Sequence, residues 1–285
     1  MTAPGSDAQP AISDPDCVAF LQWALPRLGL RWAGYRKVRG TLRKRLRRRL
    51  RLLGLADLAA YRARLAARPA EWQWLEAACR IPISRFFRDR RVFERLGQQV
   101  LPALARAAQD AGRDTIDAWS AGCACGEEAY SLAVLWRLGP GRDWPGLKLH
   151  CLATDADAGM LGRAAVACYG AGSLKDIPPP WRDAAFVAAG DRFCLRPEFR
   201  SGICLRQADI RQQPPPGPFD LILCRNLAFT YFAPAVQAMV QTSLCDRLRP
   251  GGVLVLGMHE QLPAGPAPLV PMGKHLPLYR KAERP

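Results

Sequence analysis

Apolar residues recur at helical spacing in the N-terminal part of the chain. Steps of four, four, four and three residues separate Val38, Leu42, Leu46, Leu50 and Leu53. This spacing puts them on one face of a helix, which ends at Gly54. Further helices are predicted at 57–67 and 70–79. The pattern therefore predicts an all-helical domain over 17–80, after a disordered tail at 1–16.

Short apolar runs alternate with helical patterns after residue 115. Strands are predicted at 117–120, 147–153, 203–205, 219–224 and 253–257, and helices at 127–138, 157–168 and 233–248. This alternation predicts a doubly wound α/β domain over 115–285, because runs that are apolar on both faces are typical of buried parallel strands. A linker and helix at 81–114 join the two domains. A hairpin over 193–205 is predicted as a small β insertion near 190–205.

The charge of the chain is concentrated in the helical part. The 285 residues hold 41 Lys+Arg and 25 Asp+Glu, for a formal net charge of +16. Eleven of these basic residues lie between Arg31 and Arg51, with no acidic residue among them. The basic helix 36–53 is therefore predicted to dock on an acidic protein or on a polyanion such as RNA. Only Trp32 and Tyr35 could stack on bases, which favours protein over nucleic acid.

The cysteines and the hydropathy exclude several classes of protein. Ten cysteines lie singly between Cys17 and Cys245, and the three histidines are far apart, so no metal site is predicted. Several cysteines fall within apolar runs, as is typical of buried thiols in a reduced protein. No apolar stretch approaches the ~20 residues of a membrane span, and no secretion signal is visible. A cytoplasmic protein without membrane insertion is predicted.

Glycine and acidic residues occupy the positions where predicted strands end. Gly122 lies in a turn after the first strand, and two glutamates open the next helix, where a pyrophosphate would need positive charge. Asp155 ends the second strand, where it could accept hydrogen bonds from ribose hydroxyls. Asp209 ends the third and could hold an adenine amino group. Together these acids indicate an adenosine that carries a cationic sulfonium, which is S-adenosylmethionine.

Six segments, taken in order, resemble the CheR family of S-adenosylmethionine-dependent methyltransferases, which esterify chemoreceptor glutamates. They are FFRD at 86–89, WSAGCACGEEAYS at 119–131, ATD at 153–155, GPFD at 217–220, CRN at 224–226 and LRPGG at 248–252. The resemblance covers residues 30–262 and includes the basic helix. It implies a class I, Rossmann-like methyltransferase sheet preceded by a small all-helical N-terminal domain.

The resemblance also implies a set of cofactor-binding residues. They are Ser84, Arg88, Gly122, Glu128, Asp155, Asp209, Ile210, Cys224 and Arg225. Arg88 is expected beside the donor methyl, Glu128 at the methionine amino group and Asp155 at the ribose. Asp209 and Ile210 are expected to border the adenine.

Arg88 and Tyr231 are the implied catalytic residues, on either side of the acceptor carboxylate. A glutamate has a reference pKa of about 4.3, so it is ionised near neutrality and attacks in line without a general base. The main contribution of the protein is then to hold the two reactants in alignment.

The chain departs from the family pattern in three places. Pro82 stands where members tend to have asparagine, and Ser84 where they tend to have threonine. One extra residue separates Asn226 from Tyr231. The insertion near 190–205 is short for a subdomain that grips a receptor tail, which favours a tail-independent enzyme.

Three functions stay open on these grounds. The first is a protein-glutamate O-methyltransferase acting on a chemoreceptor-like helical bundle. The second is a methyltransferase of the same fold that acts on RNA or another polyanion. The third is a noncatalytic module that binds S-adenosylmethionine, which the presence of Arg88 and Glu128 disfavours.

Overall fold

The computed structural model of the chain describes residues 12–265 and 268–282. Its contacts divide the chain into two units. The first extends to Ile81 and includes Thr230–Pro234, and the second contains Pro82–Phe229 and the residues from Ala235 onward. Over the described ranges, no helix is both long enough and apolar enough to cross a membrane.

Helices form the first unit. They are α1 (Asp14–Ala24), α2 (Trp32–Tyr35), α3 (Arg39–Leu53), α4 (Leu58–Ala67) and α5 (Pro69–Cys79). Leu42, Leu46 and Leu50 of α3 are buried, as the step of four residues predicts. Gly54 ends α3 in the left-handed conformation, with a φ of 63°.

The prediction of a disordered tail over 1–16 is wrong for its last residues. The hydroxyl oxygen of Ser13 accepts a hydrogen bond from the N–H of Asp16 at 3.2 Å, and α1 begins directly after this cap. A proline stands in the first turn, where its missing N–H costs nothing. The sequence therefore contains a helix start that the polar composition of the tail obscures. Residues 1–11 of the predicted tail lie outside the described residues.

More than half of the basic cluster in the helical unit is engaged within that unit. Acceptors of the same unit bind Arg31, Arg39, Arg43, Arg45, Arg47 and Arg49. Asp14 accepts from two of these arginines, and buried Glu71 accepts a fork from Arg49 at 2.9 and 2.7 Å. Hydrogen bonds from Arg49 hold the pKa of Glu71 below its usual range. Six of the eleven cations predicted as part of a docking surface thus have acceptors within the helical unit.

The remaining cations of the cluster are exposed and have no partner among the described residues. We call them the free basic stripe: Arg36, Lys37, Lys44, Arg48 and Arg51. The last three are separated by four and three residues on α3 and so share one face of the helix. The cationic surface is thus smaller than the sequence suggests, and it is localised.

The second unit alternates helices and strands. Its helices are α6 (Arg90–Arg95), α7 (Leu101–Asp110), α8 (Glu127–Leu138), α9 (Ala158–Val166), α10 (Pro179–Ala185), α11 (Ala228–Tyr231, which runs into the first unit) and α12 (Pro234–Arg247). Its strands are β1 (Thr115–Ala121), β2 (Lys148–Asp155), β3 (Cys168–Gly170), β4 (Phe186–Ala189), β5 (Arg192–Leu195), β6 (Ile203–Gln207), β7 (Phe219–Cys224), β8 (Leu248–Leu256), β9 (Leu269–Pro271) and β10 (Leu278–Lys281).

Seven strands form the main sheet in the order β6-β2-β1-β7-β8-β10-β9. The first five run parallel, and β10 and β9 are antiparallel additions at one edge. From β1 the chain moves outward to β2 and β6, then returns to place β7 on the other side of β1. Ligands of such sheets bind at this switch point, outside the carboxyl ends of the strands. Ala121 of β1 and Cys224 of β7 mark that position.

A separate three-stranded antiparallel sheet contains β3, β5 and β4. The hairpin predicted over 193–205 is wrong, because β6 pairs with β2 of the main sheet, while β5 pairs with β3 and β4. The insertion is therefore larger than the predicted 190–205 segment. Its strands are only three or four residues long, too short for a clear periodic signal.

Cys168 and Cys194 face each other across β3 and β5 and form a disulfide, with their Cα atoms 4.0 Å apart. The prediction of a fully reduced protein is wrong for this pair. Its members lie 26 residues apart in the chain, so no local spacing reveals the bond. The other cysteines are free thiols, and of these Cys204 is exposed.

Candidate active site

The turn after β1 depends on glycines, which adopt backbone conformations there that other residues avoid. Gly122 has a φ of 77° and Gly126 a φ of 87°. A Cβ added at Gly122 would lie 2.5 Å from the Cδ2 atom of Leu227, so a side chain there would displace Leu227 and would be strained by the positive φ. The N–H groups of Gly122 and Cys123 both donate to the carbonyl of Thr154, at 2.8 and 2.9 Å. These bonds fix the turn against the end of β2.

Asp155 lies where the sequence predicts it, at the end of β2 and against this turn. One carboxylate oxygen accepts the N–H of Ala124 at 2.9 Å, and the other accepts the N–H of Asp157 at the same distance. Asp155 therefore holds the glycine turn at the carboxyl end of β2.

Glu128 lies in the first turn of α8 and is largely buried, with 13% of its side chain exposed. The Ser120 hydroxyl donates to it at 2.7 Å, and the Arg225 Nη1 atom lies 3.1 Å from its other oxygen. Burial raises the pKa of Glu128, and the nearby Arg225 cation opposes that rise. A second cation at this carboxylate would favour its ionised form.

Arg225 follows β7 and is almost completely buried, with 2% of its side chain exposed. Besides Glu128, it contacts the turn that carries Arg88. Its Nη2 atom donates to the Asp89 carboxylate at 2.8 Å and to the Arg88 carbonyl at 2.7 Å. The Nε atom has no hydrogen-bond partner within the described chain. The sequence places Arg225 in the site but gives no sign of its bond to Asp89.

The linker before α6 contains Ser84 and Arg88, as the resemblance implies. The Ser84 side chain neighbours the carboxyl group of Glu127 and opposes the rise of its pKa. The guanidinium of Arg88 donates to the carbonyl of Ile83 at 2.6 Å. Pro82 is exposed. The linker thus lies against the start of α8.

Glu127 is a buried acid that the sequence reasoning did not assign to the site. It is 5% exposed, and burial raises its pKa. Its Oε2 atom has no hydrogen-bond partner in the part of the chain that the structure describes. Its position next to Glu128 in the first turn of α8 is the feature of the sequence that could have assigned it to the site.

The two residues expected at the adenine follow β6. Ile210 is buried at 7% exposure, which suits an apolar contact. Asp209 is paired with Arg211, whose Nε and Nη2 atoms donate to it at 3.0 and 2.6 Å. An adenine amino group would therefore share this carboxylate with a guanidinium.

The loops after β7 and β8 are joined by another acid that the sequence did not reveal. Cys224 ends β7 and is fully buried. Glu260 accepts the N–H groups of Asn226, Leu227 and Gly257 at 2.7, 3.1 and 2.7 Å. Glu260 lies more than 30 residues from Asn226 in the chain, so no local pattern predicts this contact.

Tyr231 belongs to the helical unit. Its ring lies 4.9 Å from that of Tyr35, centroid to centroid, and its carbonyl accepts the N–H of Arg31 at 2.8 Å. Its expected role beside Arg88 stays a prediction.

The residues at the strand ends fit S-adenosylmethionine. Glu128 can accept a cationic amino group, and Asp155 can accept ribose hydroxyls. The unpartnered Oε2 atom of buried Glu127 adds negative potential beside them. This donor set suits a ligand with a cationic centre and not a phosphate.

Comparison with known proteins gives the same result. The family model of the CheR methyltransferase SAM-binding domain matches residues 83–273, and that of the CheR all-alpha domain matches residues 20–76. These matches confirm the predicted cofactor, S-adenosylmethionine. They also confirm the predicted class I sheet, preceded in the chain by an all-helical domain.

Three relatives show the extent of the similarity. An uncharacterized 104.1 kDa protein of Rhodobacter capsulatus is 34% identical over 228 residues, which is 78% of this chain and 23% of that protein. The chemotaxis protein methyltransferase of Listeria innocua is 34% identical over 182 residues, which is 64% of this chain and 66% of the relative. That of Salmonella typhimurium is 30% identical over 262 residues, covering 88% of this chain and 85% of the relative. The chain thus spans under a quarter of the first relative's length and slightly under two thirds of the second's.

Proposed function

Because the chain belongs to the CheR methyltransferase family, we propose that it methylates glutamate side chains of a chemoreceptor-like protein. One observation supports this most strongly. The turn that carries Arg88 is bonded through Arg225 to buried Glu128, beside the switch point of the sheet. S-adenosylmethionine, when bound, supplies a methyl group on a cationic sulfur.

The side chains of the protein would position the reactants. Glu128 would accept the amino group of the cofactor, and Asp155 the ribose hydroxyls. The Arg88 fork would orient the acceptor carboxylate, with Tyr231 as its second neighbour. The pairing should be loose, because a tight ground-state contact would slow attack. Alignment of this kind contributes up to ~7–11 kcal/mol to catalysis.

We propose that the free basic stripe docks on the acidic face of a receptor's helical bundle in the cytoplasm. Its members are exposed, Lys44, Arg48 and Arg51 share one face of α3, and none has a described partner to compete with an acceptor. Charge complementarity of this kind raises the rate of encounter and selects the partner. RNA is the weaker alternative, because six cations of the basic cluster are engaged internally.

The acceptor is tested by transfer of a labelled methyl group from S-adenosylmethionine into separated protein and RNA fractions. We expect the label in protein, and we expect mild alkali to release it as methanol, because carboxyl esters hydrolyse in base and N-methyl groups do not. Label in RNA, or base-stable label, would contradict the proposal. Cofactor binding without any transfer would favour the noncatalytic alternative.

The docking surface is tested by charge reversal of Lys44, Arg48 and Arg51 to glutamate together. Acceptor binding should fall steeply at low salt, while cofactor affinity stays the same. The matched control reverses three exposed cations of the second unit, Arg106, Arg142 and Lys148, and should bind acceptor as the wild type does. Equal loss in both triple variants would show that only net charge matters.

A further inference from the structure

The turn that carries Arg88 has an unusual backbone. Phe87 has a φ of 50° and Asp89 a φ of 62°, so residues with side chains occupy the left-handed region on both sides of Arg88. Neither position has the freedom of glycine. Such a turn persists only where its surroundings hold it, and these surroundings decide where the Arg88 side chain begins.

One side of the turn is held by packing and a single hydrogen bond. The N–H of Phe87 donates to the hydroxyl oxygen of Ser131 at 2.9 Å. The Phe87 ring packs against Phe93 and Trp181, with centroids 5.1 and 5.8 Å away. None of these contacts involves an ionisable group, so they are expected to stay the same whether or not a cation is bound nearby.

The other side of the turn is held by Arg225 and by two further hydrogen bonds, from the Val92 N–H to the Asp89 carbonyl and from Arg88 to the Ile83 carbonyl. The same Nη2 atom binds the Asp89 carboxylate and the Arg88 carbonyl, while Nη1 faces Glu128 at 3.1 Å. The guanidinium also lies over the Phe93 ring, 5.4 Å from its centroid. A planar guanidinium is rigid, so a change at Nη1 is transmitted to Nη2.

The bonded cluster has unequal charges. Two carboxylates, Glu128 and Asp89, share the single cation of Arg225, and the Arg225 Nε atom is buried without a hydrogen-bond partner in the described chain. A cation bound at Glu128 would neutralise part of its charge, so the carboxylate would attract the Arg225 guanidinium less strongly. The guanidinium would then bind Asp89 and the Arg88 carbonyl more strongly, which tightens the turn.

We propose that Asp89 and Arg225 are positioning residues that couple occupancy of the amino-group site at Glu128 to the placement of Arg88. This inference rests on the proposed function for the roles of Glu128 and Arg88. It goes beyond that function by assigning Asp89 to the site. It also gives Arg225 a role in the turn that is separate from any contact with the cofactor.

The coupling is tested without an acceptor, by hydrogen exchange of segment 82–95 with and without S-adenosylhomocysteine. In the wild type, saturating ligand should slow exchange across this segment. In Asp89→Asn, which keeps the side-chain shape and removes the charge, ligand should bind more weakly and, at saturation, no longer slow exchange. The matched control is Asp183→Asn, which removes an exposed partner of Arg182 and should behave as the wild type.

Two outcomes would overturn the inference. One is ligand-induced protection of 82–95 in Asp89→Asn equal to that of the wild type. The other is no protection in the wild type itself, a result that requires no variant to fold. Arg225→Lys keeps the charge and loses the fork, so it should behave as Asp89→Asn does. Protection retained there would count equally against the proposal.

Methyl transfer gives the second readout. At saturating cofactor, Asp89→Asn should lower kcat by about 100-fold, the scale of a misplaced catalytic group. Arg88→Ala should then cost about tenfold less in the Asp89→Asn background than in the wild type, because Arg88 is already displaced. Additive effects would indicate a merely structural role and contradict the coupling.

These readouts separate this inference from the proposed function. If the wild type shows ligand-induced protection but does not methylate receptor glutamates, the coupling stands and the acceptor is wrong. If it methylates glutamates without protection of 82–95, the function stands and the coupling is wrong.

Discussion

Two charge clusters, each with a buried member and partly exposed partners, lie at the two ends of β7, and they differ in kind. At the start of the strand, Asp220 accepts both Nη atoms of Arg113 at 2.9 Å and the N–H of Asp117 at 2.8 Å. Arg249 joins this cluster, with its guanidinium 3.3 Å from the carboxylates of Asp117 and Asp220. Just after the strand, Arg225 is shared by Asp89 and Glu128.

The difference lies in charge balance. The Asp220 cluster contains two acids and two guanidinium groups, so it is neutral, as a buried ionic cluster should be for stability alone. The Arg225 cluster contains two acids and one guanidinium and lies beside a strained turn. A largely buried carboxylate such as Glu128, which shares its one bonded cation with a second acid, is costly unless a further cation compensates it. We propose that the cluster at the start of β7 stabilises the fold and that the cluster after β7 binds the ligand.

The largest effect on stability is expected from a substitution that breaks the neutral cluster. Asp220→Ala leaves Arg113 and Arg249 without their shared acid and should lower the free energy of unfolding by about 3–5 kcal/mol, measured by urea denaturation. The folded fraction should bind S-adenosylhomocysteine with wild-type affinity, because this cluster lies at the opposite end of β7. Lost affinity in well-folded Asp220→Ala would contradict the division of roles between the clusters.

The disulfide of the small sheet lies outside both clusters and gives a second test of stability. Closing a loop over a separation of 26 residues should contribute about 3 kcal/mol to the free energy of unfolding. Urea denaturation with and without dithiothreitol should show this difference. A Cys168→Ser/Cys194→Ser double variant should be insensitive to the reductant, and Cys204→Ser should behave as the wild type. Free thiol at both Cys168 and Cys194 in the unreduced protein would show that the bond is not formed.

A smaller effect on stability is expected from a substitution of Glu127. This residue adds a third acid near the Arg225 cluster and so bears on the comparison of the two charge clusters. Burial raises its pKa, so its ionised form disfavours folding, and the wild type loses stability as the pH rises through that raised value. Glu127→Gln should therefore be more stable than the wild type by on the order of 1 kcal/mol near neutrality, and the gain should vanish in acid. The exposed control Glu198→Gln should show no gain at any pH. A loss of stability in Glu127→Gln would mean that the ionised carboxylate is favourable there.

Much of the fold could be predicted because its signals are local. The leucine steps of α3 and the apolar run of β7 lie within single elements, and both are found where the pattern predicts. The small sheet could not be predicted, because its strands have three or four residues and pair over long separations.

The site divides in the same way. Gly122, Glu128 and Asp155 could be placed from the sequence because parallel strands bring their carboxyl ends to one edge. The bond between Asp89 and Arg225 joins residues 136 positions apart, and no periodic pattern reports such a contact. The internal use of six basic residues around α3 was hidden for the same reason, since Asp14 and Glu71 lie on other helices.

Calorimetric titration of S-adenosylmethionine into the wild type and Glu128→Gln across a pH series tests the central claim most directly. The claim is that Glu128, one of the two acids that share Arg225, receives the cationic cofactor. Because burial raises the pKa of Glu128, wild-type affinity should fall as the pH drops through that value and the carboxyl becomes protonated. Glu128→Gln should bind about 10–100-fold more weakly near neutrality, the scale of a lost charge-assisted hydrogen bond, with little of this pH dependence. Equal affinity and equal pH dependence in the two proteins would contradict the account.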